Sequence, residues 1–217
     1  KPAARTLLFW LFILVETFLI VRFIAIPVFK LIGLRTGISL KESSKIIGNH
    51  FPAVADKLLN VLELAAEKSG WGKKLLAGHT MGIAVVEDKG SACAQVAEIS
   101  IEQSQVQIHR IVCALDCGQV IHPGIVESQT VGSVVFGLTA ALYGEINIKE
   151  GRVVQSNFHD YPLLGIHEMP DVEVYLVDSN EDPGGAGEPA VPPVAPAVTN
   201  AIFAATGKRI RSLPIKS

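Results

Sequence analysis

Residues 183–196 read PGGAGEPAVPPVAP and hold a single carboxylate, Glu188, among three glycines and five prolines. Glycine admits positive φ and close approach, while proline fixes φ and removes a donor, so the stretch predicts a shaped loop. Every neighbour of the acid is small or apolar. Such surroundings disfavour the charged carboxylate and predict a pKa raised towards the range of a general base. The competing reading is a surface loop with a solvated Glu188, and composition alone favours it.

A second chemical candidate is Gln129, in CGQVIHPGIVESQTVGSVVFGLTAALYGE (residues 117–145). Pro123 suits a helix first turn, and Gly132, Ser133, Gly137 and Ala140 form a small-residue face that allows close backbone approach. Gln129 extends that face by one turn, so its amide needs a partner wherever the face is buried. Periodicity favours a packing helix whose Gln129 bonds to a neighbouring loop. His159 and Asp160 are adjacent in a loop, where side chains point apart, so His159 and His167 read as structural or surface residues. Cys93, Cys113 and Cys117 form no CxxC and are too few for a self-contained four-cysteine iron–sulfur site; they read as reduced and partly buried. Gly185-Ala186-Gly187 lacks the third glycine of a dinucleotide fingerprint, and no phosphate-loop lysine follows.

The elements that must position these residues are legible in outline. After the loop, Pro196 opens and Gly207 closes a helix whose Val198, Ala201, Ile202 and Ala205 share one face. Lys208, Arg209 and Arg211 lie at its C-terminal end, and its N-terminus is a natural anion site. Before the loop, residues 79–87, 92–101 and 106–116 read as strands, the latter two as a hairpin in which Glu98 and Arg110 pair across. Residues 146–154 predict strand, turn and strand, and residues 171–178 alternate as a half-buried strand. The fold class is α+β.

The N-terminus differs in character. Residues 7–34 form an apolar run long enough to span a bilayer, interrupted by Glu16 and Arg22, with Pro27 ending or kinking it. Residues 37–62 return to soluble character, with a Ser39/Glu42 capping pair and a helix after Pro52; His50 reads as a turn residue. This predicts domains at 1–62 (hydrophobic, transmembrane, with a short soluble helix) and 63–217, and a membrane-associated protein. The chain opens on Lys1, which predicts a fragment or processed product. Net charge is −2 and hydrophobic residues make up 49%, which excludes a basic nucleic-acid footprint.

The run GGAGEPAVPPVAPAVTNAIFAATGKRIRSLPI resembles the C-terminal end of the molybdopterin-binding large subunits of the xanthine dehydrogenase and aldehyde oxidase family, isoquinoline 1-oxidoreductase beta subunit type. Residues 63–217 track that block, with Ala190 where glycine is expected. The resemblance implies a molybdenum-dependent oxidoreductase that hydroxylates an N-heteroaromatic or aldehyde substrate with water-derived oxygen. It places the catalytic base on Glu188 and cofactor contacts on Gln129 and Gly187, with no metal ligand from the chain. It implies a molybdenum–molybdopterin cytosine dinucleotide, a small 2Fe-2S subunit and the upstream part of the large subunit as partners. Residues 1–62 resemble the N-terminal region of bacterial membrane proteins of unknown function, which implies a fusion of two unrelated genes or a chimeric chain, and a location at the bacterial inner membrane or periplasm. The alternative is a truncated or chimeric membrane-anchored protein without catalysis of its own.

Overall fold

A computed structural model of the chain describes residues 2–25, 55–103 and 105–215. The Ser39/Glu42 pair, His50, Pro27 and the rest of the apolar run beyond residue 25 lie outside the described residues. The chain divides into two compact units, Lys1–Ser43 and Ser44–Ser217.

In the first unit, α1 (Pro2–Ile20) passes into a π-helical turn at Val21–Ala25. Phe9, Trp10, Phe12, Leu14, Phe18 and Phe23 are exposed along it, and the Arg22 guanidinium lies 6.0 Å from the Phe23 ring. By length and apolarity, one helix among the described residues could cross a membrane, and it is Pro123–Leu142 of the second unit. That helix carries buried Val134, Leu138 and Ala141, as a core helix does.

The second unit is built on a four-stranded sheet of order β1-β2-β3-β6. Strands β1 (His79–Asp88), β2 (Ser91–Glu102) and β3 (Gln105–Asp116) are antiparallel, and β6 (Asp171–Leu176) joins β3 in parallel. Lys89 (φ 54°) and Gly90 (φ 78°) alone join β1 to β2, with Asp88 opposite Ser91. Two positive φ values in a two-residue loop are the geometry that matches strand twist. The crossover from β3 to β6 contains α3 (Pro123–Leu142) and a small hairpin, β4 (Ile148–Lys149) with β5 (Arg152–Val153). The expected strand pair at 146–154 is therefore present but only two residues long on each side. The last helix, α4 (Val194–Thr206), starts before Pro196 and ends at Gly207, which adopts φ 72°.

Both sheet faces are covered over most of β2 and the second half of β3, which is why Ile111–Leu115 reads as a continuous apolar run, whereas Gln105–Arg110 alternates between exposed and half-buried positions. On one face Cys93, Ala97, Ile99, Ile111, Cys113 and Leu115 meet Val134 and Leu138 of α3 and the Val194, Val198 and Ile202 side of α4. On the other, Ala92, Ala94, Val96, Val112 and Ala114 underlie α2 (Ala55–Ser69), which turns Leu58, Val61, Leu62 and Ala65 inward. Fully burying one such side chain is worth about 1.5–3 kcal/mol. Close approach depends on Gly82: a Cβ there would fall 2.2 Å from both the Ala197 carbonyl and the Ala201 amide, so α4 lies with its backbone against β1.

The Glu98–Arg110 pair forms as expected, but it is not an isolated exposed pair. Glu98 is 14% exposed and also receives His79 Nδ1 at 2.9 Å. Arg110 reaches Glu98 (3.2 Å), Glu173 (3.0 Å) and the Ser69 carbonyl (2.9 Å), tying β2, β3 and β6 to the end of α2. Cys93, Cys113 and Cys117 are free and buried, and the first two bring their sulfurs within 3.4 Å. Their hydrogen bond and burial hold the Cys93 thiol well above its ordinary pKa, and burial raises that of Cys117.

Candidate functional site

Three elements of the second unit converge on the glycine- and proline-rich loop. Strand β2 sits beneath it, α3 flanks it, and the β1–β2 turn reaches over to its acid. The loop is held by its carbonyls. Ser91 Oγ donates to Gly185 (2.6 Å), Ser133 Oγ to Gly187, and Gln95 Nε2 to Ala190 (2.7 Å). Backbone bonds from Gly184 N to the Cys117 carbonyl (2.8 Å) and from Val191 N to the Glu188 carbonyl (2.9 Å) complete the frame. A segment too rich in proline to pair as a strand thus has its polar groups satisfied by side chains of rigid neighbours. Ala190, where glycine was expected, needs no positive φ and is buried.

Beside this frame lies a cavity of about 570 Å³, bordered by Asp88, Gln129, Ser133, Phe136, Gly187 and Glu188. That volume falls within the usual range for small-molecule sites. The three residues singled out from sequence, Glu188, Gln129 and Gly187, all border it. Gly187 has no side chain to fill the space; a Cβ there would stand 3.8 Å from Gln129 Oε1. Gln129 does not bond to the neighbouring loop as periodicity predicted. Ser133, one turn further along the same face, makes that bond, and the Gln129 amide is exposed and without a protein hydrogen bond.

Glu188 also departs from the apolar setting expected of it. Its side chain is 69% exposed and forms an ion pair with Lys89 at the tip of the β1–β2 turn. The ammonium's hydrogen bond and charge hold the carboxyl below its ordinary pKa, and Glu188 in turn raises Lys89. The apolar loop residues do not bury the carboxylate, so the predicted upward shift is overturned and the competing reading, a solvated Glu188, is the one that holds.

Other candidates lie elsewhere. His159 Nε2 stands 3.6 Å from Asp160, closer than sequence adjacency predicted, yet Asp160 is engaged by the amides of Asn157 and Ser156, which lower its pKa. Asp160 caps a turn, and neither residue borders the cavity. At the C-terminal end of α4 the Arg209 guanidinium covers the Phe203 ring at 3.6 Å. No group of three or more metal-ligating side chains occurs among the described residues. Sequence reasoning missed Lys89 and Gln95. A polar amide in the centre of ACAQVAEISI was the available signal for Gln95; a two-residue turn opposite the loop left none for Lys89.

The molybdopterin cofactor-binding domain family matches residues 78–170, a span that includes Gln129 and stops before Gly187 and Glu188. The chain is 32% identical over 161 residues to isoquinoline 1-oxidoreductase subunit beta of Brevundimonas diminuta, covering 72% of this chain and 21% of that protein. It is also 32% identical over 163 residues to a membrane-bound, pyrroloquinoline-quinone aldehyde dehydrogenase of Gluconacetobacter polyoxogenes, with the same two coverages. The chain therefore spans about a fifth of the length of these relatives. Quinoline 2-oxidoreductase from Pseudomonas putida 86 shares the fold, with a TM-score of 0.53 and 22% identity over 57% of this chain and 17% of that one.

Proposed function

The C-terminal part of the chain is homologous to the molybdopterin-binding large subunits of the xanthine dehydrogenase and aldehyde oxidase family, and we propose that it forms one wall of a molybdenum hydroxylase active site. The observation that carries this reading is the meeting of Glu188, Gln129 and Gly187 at one cavity from segments far apart in sequence. The residues fit a pterin-type group. The free Gln129 amide offers a donor and an acceptor suited to a heterocycle edge, and Gly187 leaves its backbone open to close approach. When bound, the molybdenum–molybdopterin group, in the cytosine dinucleotide form, supplies the two-electron redox chemistry.

In this reading Gln129 and Gly187 orient the group, and Glu188 is the general base. Glu188, exposed and with its carboxyl held below the ordinary range by Lys89, is ionised at neutral pH and free to accept the proton released as water-derived oxygen adds to an electron-poor carbon. The substrate class is an N-heteroaromatic ring or an aldehyde. A 2Fe-2S subunit and the remaining part of a large subunit complete the assembly, and the exposed apolar side chains of α1 attach it to a membrane. Glu188→Gln in the assembled enzyme is expected to lower kcat by about 100-fold to 10,000-fold, the usual worth of a general base, with molybdenum content unchanged. Turnover within a few-fold of the unaltered enzyme would remove Glu188 from the role. Membrane flotation of the chain with and without residues 1–43 tests the anchor.

A further inference from the structure

Gln95 is the residue in the core of β2 that a fold alone does not require. It is fully buried among Cys93 and Cys113, whose sulfurs lie 4.0 and 3.7 Å from its Nε2. Its Oε1 is the one buried side-chain nitrogen or oxygen among the described residues without a hydrogen-bond partner. The orientation of the amide is fixed by its other end. Nε2 donates to the Ala190 carbonyl at 2.7 Å, whereas the reverse orientation would set oxygen against oxygen. An amide that tolerates an orphaned acceptor in an apolar core delivers its donor to one place, the loop that carries Glu188.

We infer that Gln95 is a positioning residue for Glu188, acting from beneath the loop together with Ser133 from its flank. Glu188 is bracketed by the two donors, with Gly187 held by Ser133 on one side and Ala190 by Gln95 on the other. Pro189 lies between the acid and the second anchor, and its fixed φ passes a displacement of Ala190 on to Glu188. The Val191 amide, bonded to the Glu188 carbonyl, closes the same turn. Releasing the Ala190 carbonyl frees this turn and separates Glu188 from Lys89. The functional weight of the inference rests on Glu188 being the base, but its physical content does not.

The test uses the full chain without cofactor. Gln95→Met keeps the volume and removes the donor; Ile111→Val, a truncation in the same core, is the control for generic loss of stability. Two quantities are read by NMR: exchange of the Val191 amide relative to the β2 amides, and the titration midpoint of the Glu188 carboxyl. In Gln95→Met, Val191 exchange is expected to rise tenfold or more and the Glu188 midpoint to move up towards that of a free glutamate. Ile111→Val is expected to lower the melting temperature while moving neither. Unchanged values in Gln95→Met, or equal changes in the control, overturn the inference. If Gln95→Met does not fold, the unaltered chain decides: the Gln95 side-chain amide must exchange with Val191, and exchange at the rate of the β2 core overturns it. Loss of the Glu188→Gln effect in the loaded enzyme would fail the catalytic reading and leave these outcomes intact.

Discussion

Lys89 illustrates how one cation can reverse the meaning of a motif. A lone acid between glycines and prolines admits two readings, a carboxyl pushed up by apolar contact or a solvated one; the loop exposes it to solvent and the turn lysine lowers its pKa. The sign of the effect is testable. Lys89→Met removes the hydrogen bond and the charge that depress the carboxyl, so the Glu188 midpoint rises, and in an assembled enzyme the acid limb of the kcat/KM profile moves to higher pH. Both groups are exposed, so 0.5 M salt should shrink the difference, a Debye length at that ionic strength being only on the order of 4 Å. Because kcat/KM reports the free enzyme, an acid limb unmoved by the substitution would mean that the Lys89–Glu188 pair does not set it.

At the scale of elements, close contact rather than large side chains sets the geometry. Gly82→Ala places a methyl 2.2 Å from two backbone atoms of α4, which no side-chain rotation relieves. The helix must move, at a cost of about 1–3 kcal/mol, and for a domain of this size each kcal/mol lowers Tm by roughly 2–4 °C. A melting curve unchanged by Gly82→Ala would contradict the packing of α4 on β1. The same elements show what could be read without a structure. Strands β1, β2, β3 and β6 and helices α3 and α4 were visible, because their apolar runs are long and bounded by glycine, proline or polar turns. The cavity was visible only as separate residues. Whether Gln129 or Ser133 ties α3 to the loop depends on the rotation of the helix, and two positions on one face have equal claim until the loop is in place. Lys89 meets Glu188 across ninety-nine residues, a distance over which spacing carries no signal.

For the whole second unit, the carboxylates set the response to acid. Glu173 is held below its ordinary pKa by the Tyr175 hydroxyl and then by Arg110, and Glu168 by the Tyr143 hydroxyl and the Gly165 amide. A carboxyl depressed in the folded state contributes stability that is complete above its unfolded pKa, about 4.3 for glutamate, and is lost as pH falls through the folded value. Thermal midpoints are therefore expected to be level between pH 7 and about pH 5 and to fall below it, less steeply in Glu173→Gln. A midpoint that rises on acidification would refute the assignment.

The single parallel pairing of the sheet has a kinetic consequence. Strands β1, β2 and β3 follow one another through short turns, whereas β6 joins β3 only after the chain has travelled through α3 and the small hairpin. Closing that long excursion costs more entropy than closing a hairpin, so the three-stranded meander forms early and β6 docks on it late. The loop that bears Glu188 follows β6 directly and inherits its timing. The cavity wall that this loop forms is thus expected to settle only after β6 has docked.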